Sequence, residues 1–217
     1  MLATANRGNG SFTPIFASHI WSSYRVGSDD RQQISSKKTS RKQVARCFSF
    51  AVKSGLISQG TRVFDLGCGH DNSLNRTLVQ SVGGVYACCD LYNLDINENL
   101  SSIQLALTEG VDLVIISNVL NVIREVEVRQ TLLLQAKELL AGSGGLLVGV
   151  YEGVPLAAEK KMGIKGSASL SPTITKDGWQ NRKKTAEYLK EIQVEFPNAE
   201  LIYGRGKSDA YIASRLS

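Results

Sequence analysis

Val63–Asn72 reads VFDLGCGHDN. An apolar run carries one acid, Asp65, and ends in a turn with two glycines one residue apart, Gly67 and Gly69. A short apolar run that stops at a glycine turn is the pattern of a buried strand. Glycine at such a turn leaves the backbone bare, so a ligand can approach it closely. In open α/β sheets, ligands sit beyond the carboxyl ends of the strands, where strand order reverses. The turn lies at such an end.

The flanks repeat the same grammar. Upstream, Val44, Cys47, Phe48, Ala51 and Val52 fall at helical spacing, with Ser40 placed to cap the start and Gly55 past the end. Downstream, SLNRTLVQSVGG predicts a helix closed by Gly83 and Gly84, and VYACCD a second strand ending on Asp90. LYNLDINENL is a loop, and SSIQLAL a weak third strand or a short helix. Val111–Ser117 is a buried strand. An amphipathic helix follows, with Val122, Val126, Leu132, Leu133, Ala136, Leu139 and Leu140 inside and Gly142 at its end. GGLLVGVYE is another buried strand, and KTAEYLKEIQVEF a helix. Residues 153–178 lack periodicity, which marks a functional loop or lid. AELIYGRGKSDAYIASRL predicts a terminal hairpin. Strands alternating with helices give a parallel sheet covered on both faces, to which the hairpin adds an antiparallel strand. Residues 1–36 form an irregular arm, and 37–217 one domain.

Composition narrows the class. The apolar share is 42% and the charged share 21%, ordinary for a globular chain. No apolar run reaches the roughly 18–20 residues of a membrane span, and the N-terminus lacks a signal-peptide pattern. An intracellular, cytoplasmic protein is expected. Cys47, Cys68, Cys88 and Cys89 form no CxxC pair, and the chain holds two histidines, so no metal site is expected. The net charge of +5 is concentrated in residues 25–53 and 160–184. Such patches suit nucleic acid or, equally, a solvated face.

The ligand follows from what the turn lacks. The third glycine of the dinucleotide fingerprint would fall on Asn72. Asp65 would repel a pyrophosphate but suits an ammonium group. Asp90, one βαβ step later, stands where an acid accepts hydrogen bonds from ribose hydroxyls. A ribose and an amino group without a phosphate describe S-adenosylmethionine.

Asp65-Leu66-Gly67-Cys68-Gly69 followed by Asp90 resembles the signature of the class I S-adenosylmethionine-dependent methyltransferases. The resemblance covers roughly residues 40–217. It implies a Rossmann-like seven-stranded sheet whose last two strands form a hairpin. It also implies Asp65 for the cofactor's ammonium, and Gly67, Cys68 and Gly69 around its methionine end. Asp90 would hold the ribose and Leu91 cover the adenine. Ser117, Asn118 and Asn121 follow the next parallel strand at the same crevice. Asn118 and Asn121 are candidates to orient substrate or the cofactor's methionine end, or to cap the long helix, and Ser117 and Asn118 count among the expected cofactor-binding residues. The proline-bearing motif of base-modifying amino-methyltransferases is replaced by SNVL, and no cysteine follows a proline. His70, Glu152, Tyr92, Tyr151 and Trp179 are further candidates near the crevice.

A narrower resemblance is to the methyltransferases associated with DNA phosphorothioation systems. It is carried by Asn118, Val119, Leu120, Asn121, Val122, Ile123 and Arg129, with Gly178, Gln180, Thr185 and Leu189. The expected function is S-adenosylmethionine-dependent methyl transfer to nucleic acid, with a protein partner aiding target recognition. The alternatives are a small-molecule methyltransferase and a cofactor-binding subunit without turnover.

Overall fold

The computed structural model describes residues 43–152, 160–162, 173–175, 178–203 and 210–215. Among them, the strand from the opening stretch, β1 (Arg62–Leu66), lies inside a six-stranded sheet. Its neighbours are β2 (Val85–Cys89) and β3 (Val111–Ser117), both parallel to it. β4 (Leu140–Gly149) lies parallel beside β3. β5 (Thr173–Thr175) and β6 (Gly178–Gln180) form a separate antiparallel pair. β7 (Glu200–Tyr203) and β8 (Ala210–Arg215) run antiparallel to each other, and β8 inserts beside β4. The order is β2-β1-β3-β4-β8-β7. The chain leaves β1 toward β2, then crosses back to β3. The strand order therefore reverses between β1 and β3.

Alternating residues of the buried strands serve opposite faces. Phe64, Leu66, Val114, Ile116, Leu146 and Val148 point into a core closed by α3 (Ile96–Glu109), α4 (Val126–Leu139) and α5 (Leu189–Gln193). Val63, Leu113, Ile115 and Leu147 point into a second core with α1 (Arg46–Lys53) and α2 (Ser73–Ser81). Asp65 follows Phe64 and precedes Leu66, so it faces the α1–α2 side.

The fold class is the expected one, but the sheet has six strands among the described residues, not seven. SSIQLAL belongs to the 14-residue helix α3, whose N-cap Asp95 accepts a hydrogen bond from the Asn97 amide at 2.8 Å. Its buried Asn99, Ile103 and Ala106 share one helical face, which a strand could not provide. α4 is shorter than expected. Val122 and Leu140 lie outside it, and Val126 is 47% exposed. KTAEYLKEIQVEF is broken into a 3-10 turn (Thr185–Tyr188) and the five-residue α5. Ser40, the arm 1–36, most of 153–178 and the hairpin turn lie outside the described residues. α1 starts without a side-chain cap, and the Ala45 amide before it donates instead to Asn75 Oδ1 at 2.9 Å. No described helix is long and apolar enough to cross a membrane.

Candidate functional site

The turn after β1 is held from below. Gly67 and Gly69 have φ of 85° and 76°, in the left-handed region. The amides of Gly67 and Cys68 donate to the Cys89 carbonyl at 2.9 and 3.1 Å. The Gly69 amide donates to Asp90 Oδ2 at 2.8 Å. Three successive N–H groups thus point to the end of β2. They form no open nest of the kind that cradles a phosphate. A Cβ on Gly67 would stand 2.6 Å from Val119 Cγ2. Gly67→Ala is expected to cost about 2–3 kcal/mol in urea unfolding, combining left-handed strain with overpacking. Adding Val119→Ala should recover the packing share and leave the strain; no recovery would show that Val119 is not the obstacle.

Asp90 is 7% exposed and supports the turn as well as facing the crevice. Its Oδ1 accepts from the amides of Tyr92 (3.0 Å) and Asn93 (3.1 Å) and from Asn93 Nδ2 (2.7 Å). Among the described residues, Oδ2 accepts from Gly69 alone, so its second lone pair is the one left for a ligand. Asn99 of α3 grips the backbone: the Asp90 amide donates to Asn99 Oδ1 at 2.8 Å, and Asn99 Nδ2 donates to the Asp90 carbonyl at 2.9 Å. The sequence offered no signal for Asn99, since the loop between them hides the contact.

Asp65 is 1% exposed. Its Oδ2 accepts from Tyr86 Oη at 2.8 Å and from Asn75 Nδ2 at 3.3 Å. Burial pushes its carboxyl from 3.8 up to about 7, against the pull of these two donors. Neither Tyr86 nor Asn75 was a sequence candidate. Cys68 and Cys88 share one donor, Asn72 Nδ2, at 3.5 and 3.2 Å. Burial pushes the Cys47 thiol up to about 12, with a Ser117 hydrogen bond pulling the other way. All four cysteines are free and buried.

The loop after β3 opens with Asn118 at φ 60°, a left-handed conformation that asparagine tolerates better than most residues. Neither Asn118 nor Asn121 caps α4, whose N-cap is Glu125. The loop is fastened at both ends. Asn181 Nδ2 donates to the Ile123 carbonyl at 2.9 Å, and the Asn181 amide to the Asn121 carbonyl at 2.7 Å. Arg129, 4% exposed, donates from Nη1 to the carbonyls of Ile123 and Arg124, both at 2.9 Å. Its other face pairs with Glu191 at 2.6 and 3.0 Å, and Lys183 reaches the same carboxylate at 2.8 Å. Burial pushes the Glu191 carboxyl up, but Arg129 and Lys183 outweigh it and hold it below its ordinary value.

These parts enclose a cavity of about 840 Å³ at the reversal between β1 and β3. The site residues expected from the sequence line it: Asp65, Gly67, Cys68, Gly69, Asp90, Leu91, Ser117, Asn118 and Asn121. Tyr92, Tyr151, Glu152 and Gln180 line it too. His70 is exposed and lies outside the lining, as does Trp179, whose ring lies under Arg124 at 5.0 Å. Among the described residues, the lining acids are Asp65, Asp71, Asp90 and Glu152, against the single base Arg46. Such a cavity attracts cations and repels phosphate.

No family model matches the sequence, and no curated protein matches it. Solved structures do match. The 1,6-didemethyltoxoflavin-N1-methyltransferase of Burkholderia thailandensis, with 1,6-didemethyltoxoflavin and S-adenosylhomocysteine bound, aligns at TM-score 0.52 and 12% identity, over 92% of this chain and 81% of its own. A S-adenosylmethionine-dependent methyltransferase from Aquifex aeolicus aligns at TM-score 0.52 and 10% identity, over 87% of this chain and 100% of its own. The chain has the class I methyltransferase fold. PigF with S-adenosylhomocysteine aligns at TM-score 0.51 and 20% identity, over 78% of this chain. The chain spans about half the length of some of the solved structures it matches, 54% of PigF and 55% of a proposed O-methyltransferase from Nostoc punctiforme PCC 73102.

Proposed function

We propose that the protein transfers a methyl group from S-adenosylmethionine to a small acceptor molecule. One observation carries this: the cavity at the strand reversal is lined by acids, while the N–H groups of its glycine turn are already bonded within the protein. Among the described residues, a phosphate-bearing ligand meets four acids against Arg46 and finds the turn's N–H groups already bonded. A ligand with an ammonium, a sulfonium and a ribose finds Asp65, a bare backbone and the open lone pair of Asp90. S-adenosylmethionine supplies an electrophilic methyl on sulfur when bound. The chain's own task is orientation: Gly67 and Gly69 let the ligand approach, and Leu91 covers the adenine. Ser117, Asn118 and Asn121 hold the acceptor in line with the reacting bond, an arrangement able to supply several kcal/mol of rate acceleration. The volume lies toward the top of the range of roughly 300–1,000 Å³ usual for small-molecule sites, which suits a cofactor and a co-substrate together.

Nucleic acid as acceptor is the second reading, favoured by the charge at 25–53 and 160–184. Part of that charge is used internally. Arg182 is 4% exposed, and Lys183 pairs with Glu191 and lies over the Tyr188 ring at 4.0 Å. The narrower resemblance to phosphorothioation-associated methyltransferases belongs with this reading. Its residues Asn121, Arg129, Gln180 and Thr185 gather around the loop after β3, and that loop's architecture serves a small acceptor as readily.

Calorimetric titration with S-adenosylhomocysteine tests the cofactor. Wild type should bind, and Asp90→Asn should bind at least about tenfold more weakly, the share of a hydrogen bond to a charged acceptor. Asp90→Asn is preferred to alanine, which would leave four donors without an acceptor. No binding by folded wild type would sink the methyltransferase reading. Transfer of tritiated methyl to small-molecule, DNA and RNA pools then separates the acceptors. Binding without product from any pool would mark a cofactor-binding subunit without turnover.

A further inference from the structure

Asn121 is 2% exposed and lines the cavity, and its Oδ1 is a buried acceptor with no hydrogen-bond partner among the described residues. Its orientation is set by a relay. Gln180 Nε2 donates to the carbonyls of Tyr151 (3.2 Å) and Asn181 (2.9 Å). That fixes Gln180 Oε1 as the face presented to Asn121, whose Nδ2 donates to it at 3.4 Å. The carboxamide cannot turn over without setting oxygen against oxygen. Its Oδ1 is thereby held as the carboxamide's unpaired end, within the loop that Asn181 and Arg129 fasten. A fold that restrains an amide through three further residues, yet leaves its oxygen without a partner among the described residues, keeps a buried acceptor on a cavity-lining residue for a donor that enters.

We infer that Asn121 Oδ1 is the specificity contact for the methyl-accepting molecule, which is a small uncharged compound presenting an N–H or O–H donor. The inference rests on the small-acceptor reading above and adds the chemistry of the acceptor. An anionic acceptor is disfavoured by the four acids of the lining. A molecule without a donor leaves Oδ1 desolvated and unpaired, so it is selected against by the same atom. Gln180 acts through Asn121 and is a positioning residue: it decides which end of the carboxamide the acceptor meets.

The test uses capped and uncapped pairs of one shape: aniline against N,N-dimethylaniline, and phenol against anisole. Binding to the full chain is read by ligand-observed NMR titration, with and without saturating S-adenosylhomocysteine. Aniline or phenol should bind wild type at least about fivefold more tightly than its capped partner, the usual net share of one hydrogen bond. The pair showing the larger ratio distinguishes an N–H from an O–H acceptor. Asn121→Leu should abolish the ratio while two-state unfolding is retained. Gln180→Met frees the carboxamide to rotate, so the capped probes should gain affinity there and the ratio should shrink. This second variant carries the test if Asn121→Leu does not fold. Equal binding of capped and uncapped probes to wild type, an unchanged ratio in both variants, or no binding by either donor-bearing probe overturns the inference. Donor selectivity without S-adenosylhomocysteine binding would instead keep Asn121 Oδ1 as a donor-selective contact and overturn the methyltransferase reading.

Discussion

Asp65→Asn should stabilise the ligand-free protein above pH 7 and at the same time cripple cofactor binding. Burial holds the Asp65 carboxyl near 7, against 3.8 for the group in water. At about 1.4 kcal/mol for each tenfold in acidity, an ionised Asp65 costs the folded state roughly 4 kcal/mol. The folded value is raised, so the favourable contribution is complete below pH 3.8 and is lost as the pH rises through about 7. Asparagine stays neutral and escapes that loss. Its advantage over wild type should therefore be near zero at pH 4, grow to a plateau of up to about 4 kcal/mol above pH 7, and show as a shifted urea midpoint with unchanged slope. A bound ammonium reverses the balance by favouring the carboxylate, so binding at pH 6 should expel a proton. That release appears as a binding enthalpy that depends on the buffer's own ionisation heat. Removing the charge should weaken S-adenosylhomocysteine binding by about 10–150-fold, the worth of a charged hydrogen bond. A stability difference that does not vary with pH would show that Asp65 is not the strained acid described above.

Arg129→Met should be the most destabilising substitution in the chain's polar interior. It takes the Arg129 donor from the Arg124 carbonyl, leaves the Ile123 carbonyl with Asn181 Nδ2, and leaves Glu191 with Lys183. Breaking a buried pair from one side costs about 3–5 kcal/mol. Removing the carboxylate as well, in Arg129→Met with Glu191→Leu, should recover part of the loss, because an apolar pair of similar volume is often no worse than the ion pair. The Arg124 carbonyl would still lack its Arg129 donor, so recovery should be incomplete. Hydrogen exchange should show where the damage lies: protection should fall first in residues 118–125, ahead of the sheet. Equal loss everywhere would mean that Arg129 supports the global core and not this loop.

The parts legible in the sequence were those governed by local rules. β1, β2 and β3 are apolar runs closed by turn residues, and Gly67, Gly69 and Asp90 stand at strand ends by position alone. What escaped depended on partners far along the chain. α3 carries mixed polarity over 96–109, and its helical face emerges only once Ile103 and Ala106 meet the sheet. Tyr86 and Asn75 matter because register and helix packing bring them to Asp65. Arg129 is the instructive case. It lies four residues before Leu133 and seven before Ala136, so the helical stripe already placed it on the buried face. Its charge argued for the outside, and Glu191, which reconciles the two, comes 62 residues later.

The position of β8 also has a cost in time. Residues 145–148 of β4 pair with 212–215, so a strand central to the sheet waits for segments near the other end of the described chain. At about 5–20 residues per second on the ribosome, that wait is roughly 3–13 s. Meanwhile LLVGV, apolar and uncharged, presents one bare hydrogen-bonding edge. Nascent chains of this protein thus pass through an interval of stickiness that the finished molecule conceals, and yield in a crowded cell should depend on how quickly that interval ends.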